Sequence, residues 1–172
     1  MLEGIKKLHF VGIGGVGMSA IAEVMLDKGY EISGSDLSES AVVKHLKAKG
    51  ATIYKGHDAL NVEGKEALVL SSAIHQDNPE LVAAKAKGLK LFHRSDILAY
   101  LLNDAKGIAV AGAHGKTTTS SMISVVLEHA KVDPTILIGG FVDYLKGNAK
   151  LGKSDYLVAE ADESDGSFLK FY

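Results

Sequence analysis

The chain has 172 residues, of which 47% are hydrophobic and 23% are charged, and its formal net charge is −2. This composition predicts a folded protein with an apolar core, and the near-neutral charge excludes a broad attraction to nucleic acid or to a membrane surface. The lack of cysteine excludes disulfides and cysteine metal sites. Residues 1–7 lack the apolar core of a signal peptide, and no apolar run reaches the roughly 18 residues that span a bilayer. We therefore expect a cytoplasmic protein.

Short apolar runs alternate with stretches of helical spacing along the whole chain. The apolar runs predict strands at residues 8–11, 30–34, 52–54, 67–70, 90–92, 107–111, 135–138 and 156–159. The helical spacing predicts helices at residues 17–28, 40–49, 95–102 and 120–127, and one that begins at Pro79. This alternation is typical of βαβ units, so we expect an α/β protein with a Rossmann-like, doubly wound parallel sheet. The polar segment at 103–106 predicts a boundary between domains 1–103 and 104–172.

A first glycine loop follows the first predicted strand. Gly12-Ile13-Gly14-Gly15-Val16-Gly17 fits the pattern G-x-G-x-x-G, and Asp36 ends the second predicted strand. This arrangement predicts a diphosphate at the start of the first helix, with Asp36 accepting a hydrogen bond from a sugar hydroxyl or a base. The pattern suits a UDP-sugar as well as NAD.

A second glycine loop lies between the strand at 107–111 and the helix at 120–127. Residues 112–119 read Gly-Ala-His-Gly-Lys-Thr-Thr-Thr, a shortened phosphate loop in which Val110 stands where an opening glycine is usual. We expect the Lys116 amine to reach the terminal phosphates of ATP and the Thr117 hydroxyl to bind Mg²⁺. The predicted ATP-binding residues are Gly112, Ala113, His114, Gly115, Lys116, Thr117 and Thr118.

Acidic residues follow the last predicted strand, in the run Glu160-Ala161-Asp162-Glu163-Ser164-Asp165. The carboxyl ends of parallel strands meet at the ligand crevice, so this run and the phosphate loop could face each other. Glu160 is the predicted Mg²⁺ ligand beside Thr117.

The seven histidines show no zinc-binding spacing. His114 lies in the phosphate loop, and His75 lies in a loop after the strand at 67–70, where we expect it to face the first crevice. We interpret the other five as surface or packing residues: His9, His45, His57, His93 and His129.

Taken in order, these motifs resemble those of the Mur ligases, the amino-acid-adding enzymes of peptidoglycan synthesis. The matching segments cover nearly the whole chain and lie at residues 9–19, 33–36, 71–74, 77–80, 93–94, 112–119 and 160–168. One departure is Ala113, where the family usually has threonine.

The resemblance implies a UDP-sugar-binding domain at 1–103 and the beginning of a central P-loop ATPase domain at 104–172. In the family reaction, ATP with Mg²⁺ phosphorylates the lactyl carboxylate of UDP-N-acetylmuramate, and the amine of L-alanine then attacks the acyl phosphate. The resemblance implies that Lys116 and Glu160 are the catalytic residues, which neutralise charge during transfer. The implied UDP-sugar-binding residues are Gly14, Gly15, Val16, Gly17, Met18, Ser19, Asp36, Ser71, Ser72, Ala73, His75 and Arg94. By the same resemblance the chain is a fragment of a three-domain enzyme, and we expect it to be inactive alone.

Three other functions compete with this one. A sister ligase attaches a recycled tripeptide to the same UDP-sugar, but the run at 12–19 looks more like that of the alanine-adding branch. An NAD-dependent oxidoreductase would leave the loop at 112–119 without a role. A noncatalytic nucleotide sensor would leave the acidic strand end unexplained.

Overall fold

The computed structural model describes residues 1–161 and 167–170, and they form two compact units, Met1–Arg94 and Ser95–Tyr172. The predicted domain boundary at 103/104 relied on the polar segment that follows the helix Arg94–Asn103. Packing divides the chain before this helix, so nearly all of it belongs to the second unit. The assignment of a nucleotide to each domain stays a prediction.

The first unit is a five-stranded parallel sheet with the strand order β3-β2-β1-β4-β5. Its strands are β1 (Lys7–Val11), β2 (Glu31–Asp36), β3 (Thr52–Lys55), β4 (Ala67–Leu70) and β5 (Lys90–His93). Its helices are α1 (Val16–Asp27), α2 (Ala41–Ala48) and α3 (Pro79–Ala86), with a 3-10 helix at Ala59–Val62. The strand order reverses at β1, and open parallel sheets bind ligands at such a point. The predicted Rossmann-like α/β fold is therefore confirmed.

Strand β1 lies at the centre of this sheet and is almost wholly buried. Leu8, Phe10 and Val11 have no exposed surface, because neighbouring strands and helices cover the strand on both sides and on both faces. Side-chain caps fix where two of the helices begin: Ser40 accepts from the backbone of Val43, and Asn78 caps α3. These features fix the strand ends from which the loops of the first unit depart.

The second unit is a four-stranded sheet with the order β6-β9-β7-β8. Its elements are α4 (Arg94–Asn103), β6 (Lys106–Val110), α5 (Lys116–His129), β7 (Thr135–Val142), β8 (Gly147–Lys150), β9 (Tyr156–Glu160) and a 3-10 helix at Ser167–Lys170. Strands β6, β9 and β7 are parallel, whereas β8 pairs antiparallel with β7. Strand β8 was not predicted, because its sequence Gly-Asn-Ala-Lys has no run of apolar side chains.

Helix α5 packs on β7 and β9 through a small, polar inner face. Ser120 and Ser124 are fully buried, and their hydroxyls donate to the carbonyls of Lys116 and Ser120 at 2.8 and 2.7 Å. Because these bonds satisfy both hydroxyls, the small side chains allow close packing without an unpaired polar group. Within residues 1–161 and 167–170, no helix combines the length and apolar character needed to cross a bilayer.

Candidate functional site

The second glycine loop ends at the first turn of α5. Gly112 and Gly115 have φ angles of +144° and +79°, which side-chain-bearing residues rarely adopt. Residues 113–118 line an open cavity of about 270 Å³. Lys116 folds back over the loop, where its Nζ donates to the Gly112 carbonyl at 2.6 Å. Backbone N–H groups at the start of a helix and a nearby ammonium group both favour a bound anion.

Glu160 lies at the strand edge from which this loop departs. It is the register partner of Val110, the last residue of β6, and the Ala161 N–H donates to the Val110 carbonyl at 2.9 Å. Glu160 Oε1 is buried and has no hydrogen-bond partner within the described part of the chain. Such an orphaned carboxylate oxygen suits a cation ligand. The acidic residues Asp162, Glu163 and Asp165 lie outside the described residues.

A pair of glycines in β7 lies beside Thr117 and Glu160. A Cβ atom built on Gly139 would lie 2.6 Å from Glu160 Oε2, and one built on Gly140 would lie 3.3 Å from Thr117 Cγ2. Consecutive residues of one strand therefore contact the two side chains predicted to bind Mg²⁺. Sequence reasoning missed this pair, although two glycines directly after the predicted strand at 135–138 were a visible signal.

The first glycine loop uses its own N–H groups to hold itself in place. Gly12 and Ile13 donate to the Ser35 carbonyl at 2.8 and 3.0 Å, Gly14 donates to Asp36 Oδ2 at 2.8 Å, and Gly15 donates to the Gly12 carbonyl at 3.1 Å. Helix α1 begins immediately afterwards. Since the N–H groups of the first helical turn have no carbonyl partner inside the helix, this turn is the better anion site than the loop glycines.

Asp36 holds this loop. Its Oδ2 accepts from Gly14, while its Oδ1 accepts from the backbone and hydroxyl of Ser38 at 3.0 and 3.1 Å. A Cβ atom on Gly14 would lie 2.7 Å from Asp36 Oδ2 and 2.9 Å from Val43 Cγ2, so this position requires glycine. The structure thus gives Asp36 the role of holding the first glycine loop. Its contact with a sugar or base stays a prediction.

Arg94 lies against the first turn of α1. A Cβ atom built on Gly17 would lie 2.9 Å from Arg94 Nη1. The guanidinium thus adds a positive charge at the start of the helix. The neighbouring side chains of Met18 and Ser19 are buried, and the Ser19 hydroxyl donates to the Val16 carbonyl at 2.9 Å. Any ligand contact at these two positions would involve their backbone.

The loop after β4 reaches the first glycine loop. Ile74 Cδ1 lies 3.5 Å from the Cβ position of Gly12, and the Ile74 N–H donates to the Ser71 carbonyl at 3.1 Å. The adjacent residues Ser72, Ala73 and His75 are exposed. Because β4 is the neighbour of β1, both loops leave the same edge of the sheet.

A buried polar cluster in the first unit was missed by the sequence analysis. Glu80 Oε1 accepts from Asn61 Nδ2 at 2.7 Å and lies 3.3 Å from His9 Nε2. Glu80 Oε2 accepts from Ser35 Oγ at 2.6 Å and lies 3.0 Å from His57 Nδ1. We call these five residues the Glu80 cluster. His9 and Glu80 have no exposed side-chain surface, and a histidine within a buried strand was the signal available in the sequence.

Comparison with known proteins identifies the family. Residues 7–119 match the profile of the Mur ligase family, catalytic domain. The chain belongs to the Mur ligase family. The resemblance stated from the motifs is thereby confirmed.

Curated Mur ligases align with nearly the whole of this chain. It is 58% identical over 168 residues to UDP-N-acetylmuramate–L-alanine ligase of Hydrogenobaculum sp. (strain Y04AAS1), covering 98% of this chain and 37% of that protein. It is 54% identical over 172 residues to the ligase of the same name from Koribacter versatilis (strain Ellin345), covering 100% and 37%. The chain therefore spans little more than a third of the length of these relatives.

Solved Mur ligase structures share the fold. UDP-N-acetylmuramate-alanine ligase of Thermotoga maritima matches with a TM-score of 0.87 and 35% identity, covering 96% of this chain and 39% of that one. UDP-N-acetylmuramate:L-alanyl-gamma-D-glutamyl-meso-diaminopimelate ligase of Neisseria meningitides matches with a TM-score of 0.87 and 31% identity, covering 94% and 54%. Structural likeness therefore does not separate the alanine-adding branch from the peptide-adding branch.

Proposed function

We propose that this chain supplies the UDP-N-acetylmuramate site and the ATP phosphate site of an ATP-dependent ligase that joins L-alanine to the lactyl carboxylate. One observation carries the proposal: the chain has two glycine loops, and each leads from a parallel strand into the first turn of a helix. A dehydrogenase needs one such loop, whereas a ligase that acts on a UDP-sugar with ATP needs two. The names of the curated relatives support this assignment.

The first unit would bind the UDP part of the substrate. The first turn of α1 and the Arg94 guanidinium would hold the diphosphate, since a guanidinium beside a helix start favours bound phosphate. The exposed loop residues Ser72, Ala73 and His75 would border the same site.

The second unit would bind ATP with Mg²⁺. The described oxygen donors fit this ion, because Glu160 offers a buried carboxylate oxygen without a partner and Thr117 offers a hydroxyl. Bound Mg²⁺ would neutralise phosphate charge. Lys116 would exchange the Gly112 carbonyl for a phosphate oxygen and so stabilise the charge that moves during transfer.

The chemistry of the proposed reaction explains why a ligase needs both sites. A carboxylate is a poor electrophile, so the γ-phosphoryl group is first transferred to a carboxylate oxygen, releasing ADP. The amine of L-alanine then attacks the acyl carbon, phosphate leaves with its bonding electron pair, and the amine loses a proton. We also place the protein in the cytoplasm, as expected from its sequence.

A sister enzyme that adds a tripeptide remains the second candidate, because the Neisseria meningitides structure matches as well as the Thermotoga maritima one. Alanine is favoured by the names of the curated relatives, which are 58% and 54% identical to this chain. Turnover by the full-length protein with L-alanine against tripeptide separates these two ligases.

Calorimetric titration of this chain tests the first site. We expect UDP-N-acetylmuramate to bind with one-to-one stoichiometry and NADH to give no heat of binding at the same concentrations. Binding of NADH in preference to the UDP-sugar would replace the ligase with an oxidoreductase.

A further inference from the structure

The Glu80 cluster connects distant parts of the first unit. Glu80 lies in the first turn of α3, while its partners lie in β1, in β2, after β3 and in the 3-10 helix at Ala59–Val62. A buried carboxylate that accepts hydrogen bonds from four segments holds them in one arrangement, and its removal takes a hydrogen-bond partner from each of them.

Ser35 joins this cluster directly to the first glycine loop. Its hydroxyl donates to Glu80 Oε2, while its carbonyl accepts from Gly12 and Ile13. The next residue, Asp36, accepts from Gly14. Three of the bonds that shape the loop therefore end on Ser35, which bonds to Glu80, and on Asp36, which follows Ser35 at the end of β2.

The cluster also fixes the tautomer of His57. A carboxylate only accepts hydrogen bonds, and the Ser35 hydroxyl donates its one hydrogen bond to Glu80 Oε2 at 2.6 Å. His57 Nδ1, at 2.9 Å from Ser35 Oγ and 3.0 Å from Glu80 Oε2, must therefore carry a proton and donate. In the neutral ring, Nε2 then has the lone pair.

His57 is the part of the cluster that reaches the edge of the sheet. Its side chain is 19% exposed, and the N–H of the preceding residue, Gly56, donates to the Asp36 carbonyl at 2.8 Å. No hydrogen bond described for residues 1–161 and 167–170 involves His57 Nε2. The ring thus presents one free nitrogen near the end of β2.

We infer that Glu80 is a positioning residue of the UDP-sugar site. It holds the end of β2, and with it the Gly12–Gly14 backbone, in the shape that places the first turn of α1 for the diphosphate. It also holds the His57 ring with Nδ1 inward and Nε2 outward. This inference rests on the function proposed for the first unit.

The same unit offers a matched control. Glu23 in α1 is also mostly buried and also contacts a histidine, since its Oε1 lies 3.0 Å from His45 Nε2 and 3.0 Å from Lys49 Nζ. Glu23 lies seven residues beyond the start of α1, or about 10 Å further along the helix axis. Glu23→Gln therefore makes the same chemical change away from the glycine loop.

The experiment compares the 172-residue chain with its variants Glu80→Gln, Ser35→Ala and Glu23→Gln. Circular dichroism establishes folding, calorimetry gives the Kd for UDP-N-acetylmuramate, and ¹⁵N NMR of the imidazole nitrogens reports the His57 tautomer. We expect Glu80→Gln to raise the Kd at least tenfold and to remove the preference for a proton on Nδ1. Ser35→Ala should raise the Kd at least threefold, and Glu23→Gln should leave it within twofold of the wild-type value.

The outcomes separate the inference from the proposed function. If the wild-type chain binds UDP-N-acetylmuramate and the folded Glu80→Gln variant has the same Kd, the positioning role of Glu80 is contradicted, whereas the function proposed for the first unit is not. If Glu80→Gln does not fold, an unchanged Kd in Ser35→Ala contradicts it. A loss of affinity in Glu23→Gln equal to that in Glu80→Gln shows a merely structural effect and also overturns the inference. No binding by the wild-type chain contradicts the function proposed for the first unit, and the inference falls with it.

Discussion

The Arg94 guanidinium packs against Gly17, so closely that a Cβ atom at residue 17 would lie 2.9 Å from Nη1. This contact places a permanent positive charge at the first turn of α1, where the helix dipole already favours anions. The loop glycines before this turn have their N–H groups bonded to the protein. The expected diphosphate position at the start of the helix therefore depends on the N–H groups of this turn and on Arg94, and not on the N–H groups of the loop glycines.

Replacing Arg94 tests this position. We expect Arg94→Ala to weaken UDP-N-acetylmuramate binding about tenfold or more, because a hydrogen bond to a charged group contributes about 1.5–3 kcal/mol. Calorimetry measures the change. Lys87→Ala is the control, since Lys87 is an exposed cation that pairs with Glu63 at 3.7 Å. The Kd of this variant for UDP-N-acetylmuramate should match the wild-type value. An equal effect of both substitutions would show a general charge effect.

Gly139 tests the placement of Glu160. The added methyl group of Gly139→Ala would lie 2.6 Å from Glu160 Oε2 and must displace the carboxylate. We expect the Mg²⁺-dependent part of ATP binding to weaken about tenfold, equivalent to about 1.4 kcal/mol. Titrations with ATP in the presence and absence of Mg²⁺ measure it. Gly147→Ala is the matched control, because its Cβ meets no atom closer than 3.9 Å. Unchanged Mg²⁺ dependence in Gly139→Ala would exclude Glu160 as the ligand.

Glu80 predicts a pH dependence of stability. Burial alone would raise its pKa, but hydrogen bonds from His9, Ser35 and Asn61 lower it from 4.5 to about 2. A lowered pKa in the folded state stabilises the fold above the unfolded pKa, and this contribution is lost as the pH falls from about 4.5 to about 2. The full contribution is roughly 3 kcal/mol at neutral pH.

Urea unfolding at several pH values checks this prediction. The free energy of unfolding of the wild-type chain should fall more steeply between pH 5 and pH 2 than that of Glu80→Gln, which has no carboxyl group to protonate there. Parallel curves for the two proteins would mean that Glu80 has an ordinary pKa.

The sequence alone predicted the parts of this fold that depend on local patterns. Strand β4, Ala67–Leu70, is an uninterrupted apolar run, and the Gly12–Gly17 loop leads directly into α1, so composition and spacing sufficed for both. Strand β8, Gly147–Lys150, has no such pattern. It exists because β7 provides a hydrogen-bonding edge, which only tertiary structure reveals.

The candidate sites differ in the same respect: the one built from contiguous residues was predicted, and the one built from distant residues was not. The phosphate loop at 112–118 was visible because all its residues are contiguous. The Glu80 cluster was not, because His9 and Glu80 are 71 residues apart and lie in different motif segments, so no local pattern pairs them. Asp36 was singled out for a ligand contact, yet its bonds to Gly14 and Ser38 depend on how the chain folds around it. A local pattern can single out one residue of such a contact, as His9 does within a buried strand, but it does not identify the distant partner.

The central claim is that the chain has two separate anion sites, one for a UDP-sugar and one for the phosphates of ATP. Paired calorimetric titrations of the Lys116→Ala chain test it most directly. The account predicts that the Kd for UDP-N-acetylmuramate stays within twofold of the wild-type value, while affinity for ATP with Mg²⁺ falls at least tenfold. Equal loss of affinity for both ligands would contradict it.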